Sequence, residues 1–222
     1  MKMSSVAAGL AAVLLGATSA HAALVGYADF ASWSSAVSST ATVTIPDPSS
    51  QNGYDFFGSG PGTGDGSVTY SGVNFSANPA LGNGNFFNIG PIFSGSAAVL
   101  NSQEQSSGLA NILITFLKPT TAFSLNYGTF GGSQVTFLLS NGDKLTQNSS
   151  MSGYTVTDFV GITDTAFTSI LVTSPDDNLS LNNLVYAVPE GSTWFMMLLG
   201  LSLIGLVYRH SWRGDPIAVG LE

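Results

Sequence analysis

Apolar and polar positions along most of this chain alternate in short runs, most of them broken by Gly, Asn or Ser. In Phe123-Ser124-Leu125-Asn126-Tyr127 the apolar side chains fall on one side of an extended backbone and the polar ones on the other, one face for a core and one for water. Comparable β-branched or aromatic runs predict strands near Thr42 to Ile45, Ser67 to Tyr70, Val73 to Ser76, Phe86 to Ile89, Ala97 to Leu100, Ile112 to Leu117, Ala122 to Tyr127, Gln134 to Leu139, Lys144 to Gln147, Tyr154 to Val160, Phe167 to Thr173 and Leu181 to Tyr186. Asn141-Gly142 between two of these runs predicts a type I′ hairpin, because both turn positions need positive φ. Helical spacing occurs once before the C-terminal region. From Asp29 to Val37 apolar residues stand at i, i+3 and i+7 behind an Asp29 cap, predicting one short helix with Trp33 as its anchor in the core. Pro46 to Gly66, dense in Pro and Gly, reads as a long exposed loop. Short strands without helical interludes predict an all-β ectodomain, an antiparallel β-sandwich over residues 23–187.

The two ends have a different pattern. Lys2, the apolar run Val6 to Leu15, and Ala20-His21-Ala22 read as the n-region, h-region and cleavage site of a secretory signal over residues 1–22, which a signal peptidase would remove after Ala22. The run of about ten apolar residues is short for a transmembrane helix. Gly191 to Tyr208 is eighteen consecutive uncharged residues, and at about 1.5 Å of rise each it reaches roughly 27 Å, close to a bilayer's hydrocarbon thickness. Glu190 precedes it and Arg209, His210 and Arg213 follow, so the basic side, with the tail of residues 214–222, belongs in the cytoplasm and the ectodomain outside.

Val188-Pro189-Glu190, the apolar segment to Tyr208 and the basic stop Arg209 and Arg213 together resemble the PEP-CTERM sorting signal of Gram-negative bacteria, over residues 188–213. Gly191 stands where the second proline is usual, and the tail beyond Arg213 extends past the usual end. The resemblance implies an exosortase as partner, a membrane-embedded enzyme that cuts near Pro189-Glu190, and an inner-membrane form passing to the cell surface or medium. Asp158-Phe159-Val160-Gly161-Ile162-Thr163, Ser169-Ile170-Leu171-Val172 and Leu181-Asn182-Asn183-Leu184-Val185-Tyr186 resemble β-sandwich ectodomains joined to such signals. That implies a jelly-roll-like domain akin to carbohydrate-binding modules, associated with exopolysaccharide or biofilm matrix. Where such domains often carry Asp-Asn before the last strand, this chain has Asn182-Asn183.

Composition narrows the chemistry. Five Lys and Arg against thirteen Asp and Glu give a net charge of −8, which argues against a nucleic-acid partner. Without cysteine the fold has no disulfide framework and stands on its core. Both histidines, His21 and His210, lie outside residues 23–187, which leaves the ectodomain no imidazole for Ser-His or Cys-His catalysis and no zinc site of the usual kind. The glycine-rich stretch Gly58 to Gly66 matches neither a P-loop nor a dinucleotide fingerprint. The one enzyme class left is a paired-carboxylate glycosidase drawing on Asp55, Asp65, Glu104, Asp158 and Asp164, and the expectation is a protein that is not an enzyme. No cofactor is expected beyond calcium, for which Asp176 and Asp177 are the densest candidates, an exposed turn being their plainer reading. Sugar stacking needs exposed rings. Tyr54, Phe57, Phe86 and Phe87 are the candidate contacts to a polysaccharide, since adjacent phenylalanines in a strand point to opposite faces and both cannot enter one core.

Overall fold

A computed structural model describes residues 23–59, 66–78, 80–81, 84–102, 109–150, 155–188 and 200–202. The ectodomain elements are β1 (Val25–Tyr27), α1 (Phe30–Ala36), β2 (Thr40–Thr42), β3 (Tyr54–Ser59), β4 (Ser67–Tyr70), β5 (Val73–Ser76), β6 (Asn85–Ile89), α2 (Pro91–Ser94), β7 (Ala98–Ser102), β8 (Ala110–Thr129), β9 (Gln134–Leu139), β10 (Lys144–Asn148), β11 (Asp158–Ser174) and β12 (Asn178–Ala187). The pairings among these strands are antiparallel.

Two long strands make the sandwich. The first part of β8 pairs with β5 and with the second part of β11, and the order β10-β9-β11-β8-β5-β4 forms one layer. The second part of β8 pairs with the first part of β11 and with β12, and β1-β11-β8-β12-β7-β6-β3 forms the other. The inner faces meet in rings: Phe137 of the first layer lies 5.3 Å from Tyr127 and 6.4 Å from Phe123 of the second. Ile112, Ile114, Leu125, Val160, Ile162, Leu179 and Leu181 fill the same core.

Ile112 to Leu117 and Ala122 to Tyr127, predicted as two strands, are one. Leu117, Lys118 and Pro119 are all exposed at the corner, where the β8–β11 ladder skips between Thr115↔Ser169 and Thr120↔Phe167. A proline lacks the N–H that a ladder needs, and here it stands where β11 offers none of its own residues as partner. The same holds for β11, which continues through Thr163 to Phe167 by register shifts. The predicted loop from Pro46 to Gly66 contains a strand that composition hid, β3, which pairs with β6 through Phe56↔Phe87 and Tyr54↔Ile89. The turn at Asn141-Gly142 is also of another kind. Only Gly142 has positive φ (98°), Gly142 N donates to Leu139 O and Leu139 N to Asp143 O, so a three-residue loop is closed by a left-handed glycine.

The signal-peptide residues Ala20 and Ala22, the motif residues Pro189 and Glu190, and Arg209 and Arg213 lie outside the described residues. Among the described residues no helix is long and apolar enough to cross a membrane. Val188 is described, exposed, and donates its N–H to Ser39 O.

Core polarity gives one pH dependence. The Tyr127 hydroxyl has Gln147 Oε1 and Asn148 O, each at 3.1 Å, as acceptors for its one proton, and burial, then the negative charge of Asp158, pushes it up to about 12. Burial raises Tyr70 in the same direction. A hydroxyl whose folded pKa exceeds its unfolded value of about 10 stabilises the fold fully below that value and loses the contribution as pH rises through the folded one. Unfolding free energy measured by urea titration is expected to hold steady to about pH 10 and then fall toward pH 12, with Tyr127→Phe removing much of that fall.

Candidate functional site

The strand register sorts side chains onto the outer face of the second layer. From β3 to β11 that face carries Tyr54 and Phe56, then Phe87, then Leu100, then Ser180 and Asn182, then Asn126, then Phe159 and Gly161. Two parts of it present aromatic rings to solvent.

The first is where the sequence placed the rings, with the faces now assigned. Tyr54 and Phe56 are 41% and 54% exposed and pack at 5.8 and 5.2 Å on half-buried Phe87. Phe57 turns to the other side, 6.1 Å from Phe86, which is fully buried. Of the four expected contacts, Tyr54 and Phe87 therefore stand outside, while Phe57 and Phe86 belong to the interior. A bulge between Phe56 and Gly58 shifts the ladder here. Val156 packs on Ile89, Ala98 and Leu100 beside these rings, which form a step along β3 and β6.

The second is a cleft that the sequence did not indicate. Its walls are Ala28, Asp29 and Phe30 ahead of and within α1, Thr42 of β2, Asn126 of β8, Phe159 of β11, and Asn183 and Val185 of β12, around a volume of about 540 Å³. That lies within the range of small-ligand sites. Each wall has a local cause. Trp33 is completely buried, donates from Nε1 to Ile162 O at 3.2 Å and lies on Gly161, where a Cβ would come within 2.7 Å of its ring. Glycine at 161 thus lets the helix sit directly on the sheet. That seat leaves Phe30, one turn earlier, 52% exposed at the cleft, 5.8 Å from Trp33 and 6.4 Å from Phe159, edge to face at 87°.

The opposite wall comes from a bulge. The β12–β8 ladder runs Asn182↔Asn126 and then Val185↔Ser124, so Asn183 and Leu184 together oppose one residue. Asn183 takes positive φ (50°) and is exposed, while Leu184 enters the core. Asn183 Nδ2 donates to Asn126 Oδ1 at 3.2 Å, and Asn126 Nδ2 to Asp158 O at 3.2 Å. Each carboxamide keeps a second N–H, so two oriented amides face the rings across the cleft.

Asp29 supplies the cleft's charge. Its Oδ1 accepts from Ser32 N and its Oδ2 from Ser32 Oγ, both at 2.8 Å, capping α1 as expected. The Ser32 backbone N–H, then its hydroxyl, hold the carboxyl below the usual carboxylate range, so it is ionised at neutral pH.

None of the described carboxylates named for a glycosidase pair lines this cleft. Asp55 at the start of β3 accepts from Ser49 and Ser50, Asp158 at the start of β11 from Ser149 and Ser150, and Asp164 within β11 from Asn141 of the β9–β10 turn and from Thr165. Asp65 and Glu104 lie outside the described residues. Asp176 Oδ2 accepts from Gly131 N and Oδ1 from Asp177 N, which ties the β11–β12 turn to the β8–β9 loop. Among the described residues no three His, Cys, Asp or Glu side chains gather as metal ligands.

Phe159, Asn126 and Asn183 each stood in the sequence within a strand phrase, and Asp29 and Phe30 within the helix. Asn182-Asn183 was the available signal: two successive amides break the alternation of Leu179 to Val185, as a bulge does.

Fold and cleft together define an all-β, antiparallel two-layer domain with an open aromatic and carboxamide site on one outer face. No protein-family model matches the chain, and no curated protein does. Among solved structures it is similar to a variant of a family 29 carbohydrate-binding module at 19% identity, over 68% of this chain and 92% of that one, with a TM-score of 0.27. A second family 29 carbohydrate-binding module, from Piromyces equi, matches at 15% identity over 67% and 91%, with a TM-score of 0.28. The enzymatically active domain of a bacteriophage tailspike protein matches at 12% identity over 61% and 19%, with a TM-score of 0.24. Likeness at this level says nothing of a ligand, and the functional reading rests on the chain's own geometry.

Proposed function

We propose that this chain is an exported, non-catalytic glycan-binding protein whose jelly-roll-like domain holds a sugar in the cleft between α1 and the β12 bulge. The observation that carries the reading is the pairing, across about 540 Å³, of two accessible rings with two fixed carboxamides. A pyranose has an apolar face of C–H groups and a rim of hydroxyls. The face stacks on a ring, and the rim needs donors and acceptors at fixed angles, which amides supply from both ends. Titration of the purified protein with neutral oligosaccharides is expected to give saturable binding. A flat response across neutral, acidic and amino-substituted sugars would sink the reading.

The sorting proposal concerns the other half of its life. The signal over residues 1–22 exports the chain, residues 191–208 hold it in the inner membrane, and an exosortase processes it near Pro189-Glu190 for the cell surface or matrix. The end of β12 supports this placement, since Ala187 O accepts from Thr120 Oγ1 at 2.7 Å and Val188, just ahead of the motif, is exposed. Replacing Pro189 and Glu190 with alanine is expected to leave a larger, membrane-retained form by intact mass and fractionation. An unchanged mass would rule the sorting out.

A further inference from the structure

We infer that the cleft selects a sugar bearing a free amino group, a hexosamine unit of a deacetylated polysaccharide, with its ammonium beside the Asp29 carboxylate and the Phe30 and Phe159 rings. This rests on the glycan reading and goes on to name the sugar's class.

Three observations converge. The cleft carries one formal charge, and it is negative: among its walls only Asp29 ionises. Residues 23–188 contain just two cationic side chains, Lys118 and Lys144, and neither lines the cleft. Asp158, next to Phe159, turns its carboxylate to Ser149 and Ser150 and stays out of the walls. Among the described residues Asp29 therefore has no cationic side chain facing it there. Second, hydrogen bonds from Ser32 fix that carboxylate in place, while each oxygen keeps lone-pair capacity for another donor. Third, the same walls hold two rings, one edge to face with the other, and the face of a phenylalanine ring attracts an ammonium by its quadrupole. An ammonium on a pyranose meets a carboxylate and a ring face at once, while the sugar's hydroxyls remain within the carboxamides' half of the site. An N-acetyl group cancels the charge, and a uronate would bring like charge to Asp29.

The test is calorimetric titration of the whole processed protein with glucosamine tetramer, N-acetylglucosamine tetramer and galacturonate tetramer at pH 6 and low salt. The expected order is amine, then acetylated, then acid, with the amine form about tenfold tighter than the acetylated one. Asp29→Asn keeps a capping residue and so keeps α1 seated. It is expected to bind both tetramers alike. Asp177→Asn, an exposed acid outside the cleft, controls for the chain's overall negative field and is expected to keep the tenfold preference. Equal affinities in the unaltered protein, a preference that survives Asp29→Asn, or an equal loss in Asp177→Asn would each overturn the amino-sugar selection and leave the glycan reading standing. Failure of every tetramer to bind would overturn both.

Discussion

Replacing Trp33 with alanine is expected to cost about 3–5 kcal/mol, the usual range for removing a large aromatic side chain from a core. Trp33 is fully buried, seals the sheet at Gly161 and gives up a hydrogen bond to Ile162 O that no aliphatic residue could make. Helix α1 is only seven residues long, too short to hold itself together in water, so its position depends on this anchor. The variant should therefore lose the cleft as well as stability, because Asp29 and Phe30 travel with the helix. Urea unfolding would measure the first effect and oligosaccharide titration the second. A loss below about 1 kcal/mol would mean that α1 is held by something other than its tryptophan.

Phe159→Ala is expected to weaken glycan binding by about 2 kcal/mol, roughly thirtyfold, as truncating a central aromatic contact commonly does. Its ring is half-exposed and contributes to the floor of the cleft, so stability should change far less than in the Trp33 variant. The comparison that decides the matter is Phe56→Ala. Phe56 is 54% exposed on β3, with β6, β7, β12 and β8 between it and Phe159 on β11. If titration shows Phe56→Ala to be the damaging change and Phe159→Ala harmless, the sugar sits on the Tyr54, Phe56 and Phe87 step, and the cleft assignment is wrong.

The sequence carried the strand content well because alternation is a local property. Ser67–Tyr70, Val73–Ser76 and Gln134–Leu139 fall where the pattern placed them, and Asp29 caps the one predicted ectodomain helix. What alternation does not carry is which runs join across a corner. Lys118-Pro119 looks like an interruption, yet the backbone continues in strand geometry because no β11 residue pairs with that proline. Nor does local pattern reveal pairing at a distance. Tyr54–Ser59 is a strand only because Asn85–Ile89 lies beside it, and its glycine-rich surroundings argued for a loop. The cleft was illegible for the same reason: Phe30, Asn126, Phe159 and Asn183 come from four elements, and only the register brings them together. Adjacent phenylalanines were a fair guide to exposed rings, but the choice of Phe57 over Phe56 needed the bulge between Phe56 and Gly58, which resets the phase of β3.

The place of β12 in its layer has a consequence for the order in which the domain can be completed. It is the last strand among the described residues and stands between β8 and β7, with β2 paired to its end. A chain delivered N-terminus first can zip the β8–β11 and β9–β10 pairs as they emerge, but the β6–β7 pair has no strand beside β7 on the β8 side until residues 178–187 are free. Such late, distant pairing is slow. The domain is therefore a threadable, unfinished half until the segment just ahead of Pro189-Glu190 has emerged, and the arrival of that segment both completes the sheet and builds the Asn183 wall of the cleft.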